Sequence, residues 1–482
     1  MSFQSTRRAF LASLPLAAPL AASSFAAKRP PNIIWIMADD LGYADVSCYG
    51  QKHFKTPNID KLAAEGIRFT DAYAGCTVCA PSRSVLMTGY HTGHTSIRSN
   101  PGGVPLLPSD VTVAQLLKKA GYTCGLYGKW GLGDTGTGST PLDKGFDDYC
   151  GYLNQVHAHF YYPRAIYRND KELPLAGNDG GKRTTYSHDV IAGHALKFIE
   201  ASKDKPFFCY CPFTTPHWEL LVPEDSVAEN RGKFPDKAYV DKNRHYADQP
   251  EMRAAYAGMV TRMDRDIGRI VSLVSKLGLD GNTIVFFTSD NGAALPILGE
   301  NFFESTGPLR GHKQNMYEGG IRVPMIARWK SKIKAGQTNS LPWYFADALP
   351  TLCEIAGIKT PGGLDGVSVL PTLLGKGKQK AREYLYWELP RYIGKTGEFQ
   401  REKPMAAVRM GAWKAVRPKP DAPIELYHLP SDIGETKDVS GRYPEVMSRI
   451  AKIFDEAHVH PRTQKEPATG WYGKGGGQDF AR

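Results

Sequence analysis

The segment Asn32-Ile33-Ile34-Trp35-Ile36-Met37 is apolar almost without interruption and runs into Ala38-Asp39-Asp40. Unbroken runs of this length suit strands buried on both faces of a parallel sheet. Thr283 to Phe287 repeats the pattern and ends in Ser289-Asp290-Asn291, while Thr123 to Tyr127 and Phe207 to Tyr210 read as further short strands. Between them lie helical periodicities at Pro57 to Glu65, with Asp60 in the first turns, at Val111 to Ala120, and at Glu251 to Leu277. The last is the strongest, with Tyr256, Val260, Met263, Ile267, Ile270, Val271 and Val274 forming one apolar stripe. Strands alternating with helices predict an α/β fold with a large, mostly parallel sheet flanked by helices. Ligands in such folds gather beyond the carboxyl ends of the strands, where both acidic pairs fall.

After about residue 375 the pattern changes. Glu383 to Glu388, Ala406 to Arg409, Trp413 to Val416 and Ile424 to Leu429 are short strand candidates, followed by a helix from Pro444 to about His458 with Val446, Ile450 and Phe454 on one face. This predicts a smaller C-terminal subdomain, an antiparallel sheet plus helix. The charged stretch Glu229 to Asp248 reads as a solvated loop, the Gly-rich end as loose, and internal repeats are absent.

The amino terminus carries Ser5-Thr6-Arg7-Arg8-Ala9-Phe10-Leu11, then a mild Ala/Leu stretch and small residues at Ser24-Phe25-Ala26. It looks like a twin-arginine export signal, predicting a periplasmic or extracellular protein. Pro15, Pro19 and the shortness of the apolar run argue against a stable membrane anchor. The expected organisation is a signal peptide over 1–27, a catalytic α/β domain over 28–375 and the α+β subdomain over 376–482.

Composition narrows the partners. With 41% hydrophobic and 23% charged residues, disordered and fibrous classes are excluded. The formal net charge of +11 favours anionic partners. No long Lys/Arg run or repeated aromatic–basic pattern supports nucleic-acid binding. The eight cysteines are scattered, unlike a disulfide scaffold, and a twin-arginine substrate folds before export with its thiols reduced. Cys76-x-x-Cys79 alone leaves a thiol–disulfide role open, although no thioredoxin-like unit accompanies it.

Asp39-Asp40 and Asp290-Asn291 are either turn residues or four oxygen ligands for a hard cation. Cys79-Ala80-Pro81-Ser82-Arg83, continuing as Ser84-Val85-Leu86-Met87-Thr88-Gly89, resembles the signature of the type I, formylglycine-dependent sulfatases. The likeness is to the arylsulfatase and N-acetylgalactosamine-sulfatase-like branch of the alkaline phosphatase superfamily. Gly121 to Trp130 resembles the second signature of that family. Thr215-Pro216-His217, Gly311-His312-Lys313 and the turn Tyr317 to Pro324 match further motifs, as do Gly411 to Lys414 and Glu425 to Leu429.

The resemblance implies an alkaline-phosphatase-like fold and hydrolysis of sulfate esters, of a sulfated carbohydrate or an aryl sulfate. It implies that Cys79 is oxidised to formylglycine by a formylglycine-generating or sulfatase-maturing enzyme. Asp39, Asp40, Asp290 and Asn291, with residue 79, would hold Ca²⁺, and Mg²⁺ accepts the same oxygen ligands. Lys129, Lys313 and Arg83 would offset anionic charge, and His217 would be the general acid.

One departure stands out. Family members commonly carry a histidine two residues after the signature lysine, where this chain has Gly131. His157 or His159 is expected to supply an imidazole instead, with Gln155 contacting substrate. His94 and Arg98 are expected either to line the pocket or to order a loop. Two rival readings remain: a phosphonate or phosphate ester hydrolase of the superfamily, and a non-catalytic binder of sulfated polysaccharide if Cys79 stays a thiol.

Overall fold

Asn32–Ala38, the first apolar run, forms strand β1, and all seven of its residues are buried. Its side chains alternate between two cores. Ile33, Trp35 and Met37 enter one, and Ile34, Ile36 and Ala38 the other. A strand with an apolar core on each side needs apolar residues at every position, which is why no alternation is visible in the sequence.

The computed structural model describes residues 1–2, 29–100, 104–242, 245–295, 301–390 and 403–459 of the 482. The predicted export signal and the Gly-rich end therefore lie outside the described residues. Further strands are β2 (Ile67–Phe69), β3 (Ala72–Tyr73), β4 (Thr123–Lys129), β5 (Asp148–Tyr152), β6 (Ala165–Arg168), β7 (Lys171–Pro174) and β8 (Phe207–Pro212). They continue with β9 (Thr283–Ser289), β10 (Met325–Arg328), β11 (Gln337–Asn339) and β12 (Trp343–Tyr344). The main sheet has ten strands in the order β11-β2-β10-β9-β1-β8-β4-β5-β6-β7. Its centre, β9-β1-β8-β4-β5, is parallel, whereas β10, β6 and β7 pair antiparallel towards the edges. The sheet is thus mixed, with the predicted strands forming its parallel middle.

Helices cover both faces. Helix α1 (Pro57–Ala64) contributes Ile59 and Leu62 to one core. Helix α2 (Cys79–Thr88) and helix α3 (Val113–Lys119) contribute Val85, Met87 and Leu117 to the other. Helices α4 (Ser187–Ala201), α5 (Glu224–Ala228) and α6 (Met252–Lys276) lie on the α1 side. In the 25-residue α6 the predicted stripe is buried, apart from a half-buried Val271. Among the described residues no helix is long and apolar enough to cross a membrane.

The C-terminal strands β13 (Leu385–Leu389), β14 (Met405–Met410), β15 (Trp413–Arg417) and β16 (Glu425–His428) form an antiparallel sheet backed by the helix Pro444–Glu456. Ile450, Ile453 and Phe454 of that helix pack on Tyr386, Val408, Ala415 and Leu426. Polar groups lock this sheet to the main domain. Trp387 Nε1 donates to the Ala74 carbonyl at 2.8 Å, and Arg409 Nη2 reaches Asp71 at 2.6 Å. Fully buried Lys414 contacts Glu318 at 2.9 Å and Glu435 at 3.3 Å.

Removing one member of a buried ion cluster strands the others. Lys414→Met keeps the stem but leaves Glu435 without a cation beside Glu318, which retains Arg322 at 3.0 Å, and is expected to lower stability by about 3–5 kcal/mol. Denaturant unfolding reads this directly, and an unchanged midpoint would contradict it.

Candidate active site

The register of β1 against β9 pairs Ala38 with Ser289, so the two strands end together and release Asp39-Asp40 beside Asp290-Asn291. The Asp290 amide donates to the Ala38 carbonyl at 3.1 Å, and the Asp40 amide donates to Asp290 Oδ1 at 3.1 Å. Asp40 sits at φ +62°, a left-handed conformation that a non-glycine residue holds only when its surroundings enforce it. Next to β1, β8 leads through Thr214 and Thr215 to His217, and β4 ends on Lys129. Four adjacent strands thus deliver their carboxyl ends to one point. Helix α2 arrives there with its first residue, Cys79. Asn100 Oδ1 accepts the Ala80 amide at 2.9 Å and caps the helix in place of its own N-cap residue, Val78.

Each aspartate divides its oxygens. Asp39 Oδ2 accepts from Lys129 Nζ at 2.7 Å, while its Oδ1 lies 3.2 Å from Cys79 Sγ. Asp40 Oδ2 accepts from Lys313 Nζ at 2.7 Å, while its Oδ1 lies 3.9 Å from the same sulfur. Arg83 donates from Nε and Nη2 to Asp290 Oδ2 at 3.1 and 2.8 Å, and from Nη1 to the Lys129 carbonyl at 2.7 Å. Ser82 of the same motif donates to the Asp290 carbonyl and accepts from the Gly75 amide. Asp39, Asp290, Lys129 and Cys79 have no exposed surface.

Burial and field set the protonation states. Burial works against an ionised Asp39, yet Lys129, His217, Arg83 and Lys313 together hold its carboxyl well below the usual range. Burial and neighbouring Asp39 push Asp290 up to about 6, with Arg83 opposing. The Cys79 thiol is raised well above its ordinary value by burial, then by Asp290 and Asp39. Lys313 is held as an ammonium by Asp40 despite its burial. His217 falls to about 4 because it is buried, with Asp40 opposing and Lys313 reinforcing the shift. Its Nδ1 faces the Trp218 carbonyl, which can only accept, so the ring proton sits there. Nε2 then carries the lone pair and accepts from Lys313 Nζ at 3.2 Å.

The donor set fits a hard cation. One oxygen each of Asp39 and Asp40 turns towards Cys79, and ligand atoms of Asp39, Asp40, Cys79 and His217 lie within 4.8 Å of one another. The Asn291 amide nitrogen is committed to Asp40 Oδ1 at 2.7 Å and the Gly292 carbonyl at 3.0 Å. This fixes the amide so that Oδ1 is buried with no hydrogen-bond partner among the described residues. A buried carbonyl without a donor is complemented by a cation.

The remaining predicted residues separate. His159 joins the site, its ring stacked on His217 at 4.1 Å between centroids. His157 does not. It packs edge-on against Tyr152 and Tyr167, at 4.9 and 6.5 Å, because the short 3₁₀ turn His157–His159 sends the two rings in different directions. Gln155 is buried, its Nε2 donating to the Gly131 carbonyl at 3.2 Å and its Oε1 without a hydrogen-bond partner among the described residues. Gly131 sits at φ +70°, and a Cβ there would lie 2.1 Å from Gln155 Nε2, so Gln155 would have to give up its present position to admit a side chain. The structure thus has Gln155 filling the space beside Gly131.

Arg98 ties the loop after α2 to the C-terminal sheet. It pairs with Glu388 of the C-terminal sheet at 3.1 Å and donates to the Thr95 and Val459 carbonyls. His94 contacts Asp365 at 2.9 Å and stacks on His91. His91, His94 and Asp365 resemble a second metal site, but His91 Nδ1 accepts the Gly93 amide at 3.1 Å. That places the proton on Nε2, facing Asp365, and the trio ties a loop together. All eight cysteines are free, and the Cys76 and Cys79 side chains diverge, Cys76 Sγ lying 3.7 Å from the Glu388 carbonyl.

Tyr246 is a site neighbour that the sequence alone does not reveal. It lies in the charged stretch taken for a solvated loop, yet its hydroxyl meets His159 Nδ1 at 2.8 Å. The one available signal was the aromatic pair His245-Tyr246 amid charged residues.

A central sheet with carboxylates, cations and a buried cysteine at its strand ends defines a hydrolase of anionic esters. Comparison with known proteins gives the class. The profile described as Sulfatase matches residues 31–358, and that of N-sulphoglucosamine sulphohydrolase, C-terminal, matches residues 311–459. The chain is 33% identical to N-acetylgalactosamine-6-sulfatase of Mus musculus over 418 residues, 81% of this chain and 72% of that protein. It is 30% identical to arylsulfatase A of Homo sapiens, covering 90% and 88%. Among solved structures, that of Ps i-CgsB in complex with k-i-k-neocarrahexaose superposes with a TM-score of 0.75 at 30% identity, covering 92% and 96%. This chain belongs to the sulfatase family and is a sulfuric ester hydrolase.

Two outcomes follow from the packing. Gly131→Ala should lower kcat/KM and stability together, by about 1–3 kcal/mol in stability, because it combines a left-handed backbone with a collision at Gln155. Unfolding and steady-state kinetics on one preparation would show both. Burial lowers His157 to about 4 in the folded chain against 6.5 when unfolded. The unfolded chain therefore takes a proton that the folded chain refuses, and this contribution is complete above pH 6.5 and lost as pH falls towards 4. The stability of His157→Phe should accordingly change less over that window than that of the wild type, by up to about 3 kcal/mol. Parallel curves would exclude the effect.

Proposed function

We propose that this sulfatase removes sulfate from a carbohydrate, using a formylglycine formed at Cys79 and a bound Ca²⁺. The observation that carries this is the position of Cys79. Its sulfur heads a capped helix 3.2 Å from Asp39, in a buried pocket containing Lys129, Lys313 and Arg83. Relatives that support a carbohydrate substrate are N-acetylgalactosamine-6-sulfatase and the protein solved with a neocarrahexaose. The net charge of +11 favours an anionic glycan. Sequence features support maturation by a formylglycine-generating or sulfatase-maturing enzyme, and export through the twin-arginine signal.

The cation would be held by Asp39, Asp40, Asp290 and Asn291, and when bound supplies Lewis acidity and positive charge for the sulfate oxygens. Formylglycine, as its hydrate, supplies an oxygen nucleophile whose second hydroxyl can expel sulfate by re-forming the aldehyde. The chain's own residues do the rest. Three carboxylates, Asp39, Asp40 and Asp290, balance three cations, Arg83, Lys129 and Lys313. The two lysines reach the carboxylates through long stems whose ammonium groups can also donate to sulfate oxygens. Arg83 is spent on Asp290 and the Lys129 carbonyl, so it orients rather than binds. As the ester S–O bond breaks, its electron pair goes to the alcohol oxygen. The proton for that oxygen comes from the Lys313 ammonium, which donates to His217 Nε2 at 3.2 Å, so His217 orients the proton donor rather than being the general acid expected from the sequence.

Mass analysis of the tryptic peptide containing position 79, after co-expression with a maturing enzyme, should show loss of sulfur and gain of an aldehyde oxygen. The matured enzyme should cleave members of a sulfated-monosaccharide panel and resist the matching phosphate and phosphonate esters. Chelation should remove activity and Ca²⁺ restore it, while Cys79→Ala should reduce kcat by at least about a thousandfold. An intact thiol in a fully active preparation would refute the nucleophile. Preference for the phosphorus esters would refute the substrate class.

A further inference from the structure

Among the described residues, the Tyr246 hydroxyl has one hydrogen-bond partner, the Nδ1 of His159, at 2.8 Å. A phenol that donates there leaves His159 with its proton on Nε2. The His159 ring lies against that of His217, centroids 4.1 Å apart and planes inclined by 29°. His159 is itself held from behind, because its carbonyl accepts the Glu219 amide at 2.9 Å. Tyr246 is fixed in turn, since its amide donates to Asp241 at 2.7 Å and the next amide, of Ala247, donates to Glu219 at 2.9 Å. His217 therefore cannot rotate about its ring bond without displacing His159, and His159 cannot move without breaking the contact to Tyr246.

We propose that Tyr246 and His159 are a positioning pair, which fixes the ring plane and proton location of His217, keeps its Nε2 lone pair on the Lys313 ammonium and so controls proton delivery from Lys313 to the departing alcohol. The inference rests on the role given to His217 under the proposed function. The geometry explains why control is needed. His217 has one productive orientation, with Nδ1–H on the Trp218 carbonyl and Nε2 on Lys313. A flipped ring would present carbon at the second position. The stack opposes the flip, and the tyrosine keeps the stacking ring in register.

Leaving-group dependence separates positioning from plain structural support. An acidic leaving group departs with little proton help, whereas phenol, with a pKa of about 10, requires it. Tyr246→Phe keeps the ring and deletes the hydroxyl. Its loss of kcat/KM should be at least about tenfold larger on phenyl sulfate than on 4-nitrophenyl sulfate. In a His217→Asn background the same change should have no further effect, since the pair acts through His217. Equal losses on both esters, no loss on either, or additive effects in the double variant would each overturn the proposal.

A substrate-free arm keeps the two readings apart. With selective ¹⁵N-histidine labelling, His159 should show the Nε2–H tautomer in the wild type and a mixture in Tyr246→Phe. An Nδ1–H tautomer in the wild type, or no change in the variant, would overturn the pair. A matured wild type that cleaves neither aryl sulfate nor any member of the sulfated-monosaccharide panel would count against the functional reading, leaving the pair to be decided by the tautomer measurement.

Discussion

Everything at the strand ends depends on one constraint: three carboxylates and three cations share a space almost without solvent. Asp39 with Lys129, Asp40 with Lys313 and Asp290 with Arg83 each satisfy the other's charge. None of the six could be buried alone without a penalty of several kcal/mol. The constraint explains the divided carboxylates, since each lysine takes one oxygen and leaves its companion to face Cys79. It also explains the left-handed Asp40, whose amide must turn back to Asp290 while its side chain reaches Lys313 and Asn291.

The fold is arranged to hold these charges still. Central strands end in register, so β1 and β9 present their acids together, and β4 and β8 add a lysine and the approach to His217. The C-terminal sheet stabilises the other side. It grips the segment before α2 through Ala74 and Cys76, and the loop after α2 through Arg98. Lys414 reaches Glu318, at the head of the short helix that follows the Lys313 loop. Sequence far from the chemistry therefore fixes both Cys79 and Lys313.

The legibility of these features followed distance along the chain. The strands were readable because burial on both faces makes every residue apolar, and the acids were readable because they stop those runs. Cys79 and Lys129 belong to compact motifs. Arg98 and His94 carry the same residue types as a binding site, but their partners, Glu388 and Asp365, lie 290 and 271 positions away. No local pattern announces such a pair. Tyr246 was hidden for the same reason, its contact with His159 spanning 87 positions within a stretch whose charge suggested solvent. Choosing between His157 and His159 required the direction of one 3₁₀ turn, which a sequence of alternating small and aromatic residues does not specify.

The complete burial of Cys79 carries a chronology. A thiol with no exposed surface, at the head of α2 and 3.2 Å from Asp39, is out of reach of another protein's active site. Under the proposed maturation, the oxidising enzyme would have to meet the motif as an extended segment, before β1, β4 and β9 assemble around it. Twin-arginine transport carries folded cargo, so on the proposed route oxidation has to be finished in the cytoplasm, during or just after synthesis. On that route folding is the closing of a door: a chain that folds with its sulfur in place would stay without its nucleophile.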